Sequence, residues 1–236
     1  MALNPRVADE KIVPKGAILK RLIQVGMGLL ILGLSLFISA GRLSWGWAWA
    51  FLGIYLGMIL ANALFMDREL VAERAEVKAN TKDWDRWISG ISLLLVTPLS
   101  LIVAGLDERF NWSELSISLQ MVALLVVALG YGLVVWAMIS NRFFAITVRI
   151  QQDRGQTVVS SGPYRSIRHP GYLGFILTAL GIPLMLGSWW GLFPGVLGAA
   201  GIFLRTVLED RTLQQELPGY LEYAVQVRYR LIPGIW

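Results

Sequence analysis

The chain contains no cysteine and a single histidine, His169. The first absence excludes disulfides, thiolate zinc sites, iron–sulfur clusters and thiol nucleophiles. The second removes multi-histidine metal centres, so no metal is expected. Charge is scarce as well: 16% of the 236 residues are Asp, Glu, Lys or Arg, 56% are apolar, and mean hydropathy is +0.59. A soluble domain carries roughly a quarter of its residues as charges, so the deficit points to lipid as the solvent. There is no Ser- or Pro-rich linker, no low-complexity tract and no internal repeat. A net charge of +5 would hint at nucleic acid in a soluble protein. Here the placement of the charges carries the information, and no nucleic-acid partner is expected.

What is present in abundance is long hydrophobic runs. A bilayer span needs about 20 mostly apolar residues, and such runs occupy about 17–40, 45–66, 86–105, 116–140, 171–187 and 189–208. The last two meet at Gly187–Ser188, which predicts a tight helical hairpin. Nineteen of the 21 Lys and Arg residues fall in the N-terminal tail, the second and fourth connections and the C-terminal segment. Only Arg42 and Arg109 fall in the others. The positive-inside rule therefore assigns both termini and the large polar loops to the cytoplasm, and an even helix count requires the same. The first run is too long for a signal-peptide core, which is about 7–15 residues, so a retained anchor is expected. The expected fold is all-α: one membrane domain, 1–236, of six transmembrane helices. Residues 1–110 form its N-terminal helices and 141–236 its chemical core, with a cytoplasmic pocket capped by the C-terminal helix.

Several details refine this picture. Trp45, Trp47, Trp49, Trp84 and Trp87 cluster at helix ends, as interfacial belts do. The charged stretch Asp67–Asn80 is rich in strong helix formers and predicts an interfacial helix. Polar residues next to membrane helices concentrate in 141–236, so chemistry belongs there.

Three clusters carry that chemistry. In Ser161-Gly162-Pro163-Tyr164-Arg165-Ser166-Ile167-Arg168-His169-Pro170-Gly171-Tyr172-Leu173-Gly174, Gly-Pro marks a turn and Pro170 suits the first turn of a helix. His169 then caps the fifth span, and a helix N-terminus flanked by Arg and His is an anion site; Tyr164 and Tyr172 offer flat faces to a ring or a cation. A basic interfacial loop serving only topology is the plainer reading. In Arg205-Thr206-Val207-Leu208-Glu209-Asp210, Arg205 and Glu209 share a helical face at i, i+4. Ionisable residues at a span edge are functional by default, the plainer reading being an intrahelical ion pair. Finally, Leu213, Leu217, Tyr220 and Tyr223 predict an amphipathic helix lying back over the site. A surface helix with snorkelling arginines is equally compatible.

The run Arg168-His169-Pro170-x-Tyr172-x-Gly174, preceded by Gly-Pro-Tyr and followed by an acidic pair and Tyr-x-x-Tyr, resembles the isoprenylcysteine carboxyl methyltransferase and phospholipid methyltransferase superfamily over about 141–236. These are integral membrane enzymes that use S-adenosylmethionine. The resemblance implies a cofactor pocket made by Gln156, Thr157, Val158 and Val159, by the turn residue Tyr164, by His169, Pro170, Gly171 and Tyr172, and by the acidic pair Glu209 and Asp210. It links Arg205 to a lipophilic acceptor drawn from the bilayer, a prenylcysteine-like carboxylate or a lipid head group. Two positions depart from the pattern: Gln156 stands where the eukaryotic enzymes often have His, and Asp210 where Glu is usual.

Elementary chemistry is compatible with that resemblance. A helix start with His169 suits the cofactor carboxylate, Glu209 its ammonium and the tyrosines its adenine. In-line methyl transfer depends largely on positioning, and a carboxylate acceptor needs no general base. No Gly-x-Gly-x-x-Gly follows a strand, which argues against a soluble dinucleotide-type fold. Two alternatives remain open. Tyr229-Arg230-Leu231-Ile232-Pro233 and Arg-His-x-x-Tyr also resemble membrane sterol and steroid reductases that use a nicotinamide dinucleotide, although Gly162-Pro163-Tyr164 replaces their Trp-rich stretch. A transporter or scaffold is the other, but Pro98 and Pro183 lack the paired symmetry of broken transporter helices.

Overall fold

The computed structural model describes residues 15–236 other than 67, 76 and 79. The first part of the basic tail, with Arg6 and Lys11, lies outside the described residues. Among the described residues the protein is all-helical, with no strand. Helices are what lipid permits, because each bonds its own backbone without water.

Helices α1 (Lys15–Ala40) and α2 (Gly46–Phe65) are followed by the short α3 (Arg68–Glu73). Next come α4 (Asp83–Leu94), a π-turn (Leu95–Leu99) and α5 (Ser100–Phe110), which run on as one rod around Pro98. Proline has no N–H to give the preceding turn, and the π-turn absorbs the interruption. Then follow α6 (Ile117–Ser140), α7 (Pro170–Met185), α8 (Leu192–Glu216) and α9 (Tyr220–Gln226). Five rods of 20–28 residues are long and apolar enough to cross a membrane, which makes this an integral membrane protein. The fifth predicted span, α7, has 16 residues, about 24 Å at 1.5 Å per residue, and is shorter than a full crossing.

Two expectations are corrected. The charged stretch after α2 does not form a long interfacial helix: α3 has six residues and the chain turns at Arg74–Ala75. There Glu73 and Arg74 face inward to bind the 141–155 loop, and this tertiary pairing overrides helix propensity. Trp45 does not join an interfacial belt. It is 2% exposed and packs with Leu32, Leu36, Phe51 and Leu101 in the main core, whereas Trp49 and Trp87 do face outward.

The most extensive helix contact is α6 on α7. With lipid outside there is little hydrophobic drive between helices, so close backbone approach matters. Gly130 and Gly174 supply it: a Cβ on Gly174 would sit 2.5 Å from the Gly130 carbonyl oxygen, and one on Gly130 would lie 2.9 Å from that of Gly174. α1 packs chiefly on α5 and only lightly on α2.

The connections divide sharply between the two ends of the bundle. At one end they are short, and the buried Asp107 ties them together by accepting from the Ser113 N–H and hydroxyl at 2.7 Å each and from the Ser188 hydroxyl. At the other end lie 66–82, 141–169 and 217–236, with most of the charge.

Candidate functional site

The long connection 141–161 is irregular, with turns and a single 3-10 turn at Gln152–Arg154 but no strand pairing. A buried backbone without a ladder must find other partners, and here side chains from other elements provide them. Asp85 of α4 accepts from the Val148 N–H at 2.8 Å, Arg74 donates to the Phe144 carbonyl at 3.0 Å, and Arg205 of α8 donates to the Ile146 carbonyl at 2.9 Å. Arg149 is clamped by Glu73 (2.7 Å) and Asp153 (2.7 Å). The segment Gln156 to Val159 is thereby held against α9, whose Tyr220 and Tyr223 pack with Leu217, Ile150 and Val158.

Gly162 turns the chain with φ +55°, a left-handed conformation that glycine adopts without strain. The following single turn places Tyr164, 7% exposed, under the Tyr223 hydroxyl, which donates to the Tyr164 carbonyl at 2.7 Å. Burial pushes both phenols up, that of Tyr223 to about 12. His169 caps α7 and Pro170 is its first residue, as the spacing predicts.

The sequence expectation at this helix start was an anion site, but its side chains are spent internally. Arg168 makes a two-pronged pair with Asp210, 2.7 and 2.9 Å. Burial works against the Arg168 charge, and the Asp210 carboxylate overrides it and holds the guanidinium above its usual value. Arg230 (2.8 Å), Gln214 (2.7 Å) and the Tyr220 hydroxyl (3.1 Å) donate to the same carboxylate. His169 Nε2 lies 3.2 Å from it and must carry the proton there, because a carboxylate only accepts. Asp210 is fully buried, and it binds α7, α8 and the C-terminal segment together. Arg168 and His169 N–H groups also donate to the Tyr229 and Arg230 carbonyls at 2.9 Å each.

Next to this hub is a cavity of about 870 Å³. Ten of the twelve residues singled out from the sequence line it: Gln156, Thr157, Val158, Val159, Tyr164, His169, Gly171, Tyr172, Arg205 and Glu209. Pro170 and Asp210 do not; they hold the wall from behind. Glu209 accepts a hydrogen bond from the Tyr172 hydroxyl and has no ion pair within 4 Å among the described residues. The plain expectation for Arg205, an ion pair with Glu209, does not form. Arg205 instead pairs with Asp85, 0% exposed, at 2.7 Å and lies over the Tyr172 ring at 5.2 Å. The His169 and Tyr172 rings stack at 5.7 Å.

Several residues of the site escape sequence reasoning. Asp85 does not line the cavity but holds Arg205, which does, and nothing in its neighbourhood along the chain signals a partner 120 residues away. Arg21 and Arg74 were counted only as topology charges, yet both line the cavity. Among the described residues no group of three His, Asp or Glu side chains is placed to hold a metal.

The fold and site together define an integral membrane protein with a largely apolar, tyrosine-lined chamber that runs from the charged end into its bundle. Residues 119–217 match the family model described as Phospholipid methyltransferase. A stretch of 66 residues is 35% identical to a protein of Oryza sativa subsp. indica named "Probable protein-S-isoprenylcysteine O-methyltransferase", and equally to its namesake from subsp. japonica. That stretch covers 28% of this chain and 35% of each rice protein. The resemblance to the isoprenylcysteine carboxyl methyltransferase and phospholipid methyltransferase superfamily therefore holds, and it lies over α6, α7 and α8, which build part of the chamber.

Proposed function

We propose that the protein is a membrane methyltransferase that uses S-adenosylmethionine and acts on a lipophilic acceptor. The observation that carries this is Glu209: a carboxylate on the cavity wall with no ion pair within 4 Å among the described residues, inside the family-matched stretch and beside stacked aromatic rings. Leaving such a group unpaired is costly, and an ammonium-bearing ligand satisfies it. The cofactor supplies an electrophilic methyl group on a sulfonium. Gln156, Thr157, Val158 and Val159 with Tyr164, His169, Gly171 and Tyr172 enclose it. Asp210 and Pro170 act as positioning residues, fixing the His169 ring and the start of α7. Arg205, held by Asp85 and stacked on Tyr172, orients the polar end of the acceptor, and its planar fork suits a carboxylate. Water exclusion falls to α9, whose tyrosines close the chamber.

The Tyr229–Pro233 motif shared with membrane reductases has a structural use here. Its Arg230 binds Asp210 and its Leu231 is 3% exposed. Calorimetry on the purified protein should show S-adenosylhomocysteine binding and no NADPH binding, and Glu209→Gln should weaken the former by about 1–3 kcal/mol. NADPH binding with no response to S-adenosylhomocysteine would overturn the reading.

The charged end faces the cytoplasm in this proposal, on the nineteen-to-two distribution of Lys and Arg. Ser160→Cys, in a chain with no other cysteine, should resist an impermeant thiol reagent in intact cells and react after lysis. Labelling from outside intact cells reverses the orientation.

A further inference from the structure

The wall of the cavity opposite Glu209 is made by α1, α2 and the turn after α3, and it holds two arginines, Arg21 and Arg74. Neither has a carboxylate within ion-pair distance among the described residues. Arg21 has only a long bond, 3.4 Å, to Gln24 of its own helix. Arg74 spends one nitrogen on the Phe144 carbonyl, and its Nε is buried with no partner at all. Burial pulls the Arg74 guanidinium down to about 9, with the nearby charges of Arg21 and Arg205 adding to the fall. A buried cation without a partner is expensive. Arg74 is such a cation at its Nε, and the half-buried Arg21 brings a second guanidinium to the same chamber, so the pair amounts to an unmet demand for negative charge.

The same wall reaches the outside. Leu22 lines the cavity and is 63% exposed, and Met58 and Ile59 of α2 line it from across the light α1–α2 contact. A chain entering from the lipid between α1 and α2 would lie along these side chains with its head beside Arg21 and Arg74.

We propose that Arg21 and Arg74 form an anion-binding subsite for the head of a lipophilic molecule entering between α1 and α2, so that the protein takes anionic rather than neutral acceptors. That the bound molecule is a methyl acceptor rests on the methyl-transfer reading; the subsite itself does not. The recognised chemistry is a carboxylate or phosphate on an alkyl tail, and a guanidinium edge meets either in a side-on fork.

The purified full chain in lipid nanodiscs is titrated with dodecanoate, dodecyl phosphate and the neutral dodecanamide, and with S-adenosylhomocysteine in parallel. At least one anion should bind about tenfold or more tightly than the amide, and which one does so separates a carboxylate site from a phosphate site. Arg74→Gln should bring that ratio to within about threefold, Arg74→Lys should restore part of it, and Arg21→Gln should lower it less. Equal affinity for anions and amide in the unmodified protein overturns the subsite, as does a full preference surviving in both Gln variants. S-adenosylhomocysteine binding reports folding of each variant. If the anion preference holds while S-adenosylhomocysteine fails to bind the unmodified protein, the methyl-transfer reading falls and the subsite stands. If Arg74→Gln does not fold, the unmodified protein and Arg21→Gln decide.

Discussion

The two walls of the cavity solve the problem of buried charge in opposite ways. On the α7–α9 side, Asp210 takes five side-chain donors, two of them arginines, so that both guanidiniums in that hub have a carboxylate partner. On the α1–α3 side, Arg21 and Arg74 have nothing comparable, and Arg74 keeps an unbonded buried nitrogen. Buried ions that are mutually satisfied hold elements together. Buried ions that are not satisfied are held in place by the fold and wait for a ligand. The first wall is therefore read as structure with one available acid, Glu209, and the second as recognition.

This contrast can be broken at several points. The largest effect belongs to the hub. Asp210→Asn strands Arg168 and Arg230, and losing one partner of a buried pair costs about 3–5 kcal/mol. Thermal unfolding in detergent should drop sharply or show no folded protein, and a drop of under one kcal/mol would remove Asp210 from its structural role.

Next comes the Arg205–Asp85 pair, which tests whether an ion pair on the boundary between the walls serves shape or chemistry. Arg205→Gln alone leaves the Asp85 carboxylate, 0% exposed, facing no cation, with an expected loss of about 3 kcal/mol. The double variant Arg205→Gln with Asp85→Asn should recover most of that stability, yet methyl transfer at saturating S-adenosylmethionine should stay depressed by a factor of about 100. Recovery of activity together with stability would reduce Arg205 to a strut.

A smaller effect of opposite sign is expected on the second wall. Arg74→Gln removes an uncompensated cation, so the ligand-free protein should gain stability, of order 1 kcal/mol, or about 2–4 °C in melting temperature for a chain of this size. A fall in melting temperature means that the Arg74 bond to the Phe144 carbonyl outweighs the cost of its uncompensated charge. The smallest change should come from Asp153→Asn, whose bond to Arg149 holds its carboxyl below the usual range. A depressed carboxyl contributes above its unfolded value and loses that contribution as pH falls through the folded one. The Asp153 side chain is 59% exposed, so solvent screening leaves at most about 0.5 kcal/mol, visible as a slightly weaker acid dependence of unfolding.

Much of the membrane architecture was legible in the residues themselves. Apolar runs longer than about 20 residues have no stable place except lipid, and helices close their own hydrogen bonds, so 17–40, 45–66, 86–105, 116–140 and 189–208 all find a helix near their expected limits. The turn at Gly162 and the cap at His169-Pro170 were legible for the same reason, because φ and the missing N–H are local properties. Of the twelve residues that the motif resemblance implied, ten reach the cavity, whereas its wall from α1, α2 and the turn after α3 was not legible. The partnerships were decided by tertiary structure alone. That Arg205 would choose Asp85 over Glu209, that His169 would face Asp210, that Trp45 would be buried, and that Arg21 and Arg74 would find no counter-ion among the described residues all depend on which helices meet. Charge pairing is set by distance in space and by what burial strips away, and neither is written in the spacing along a chain.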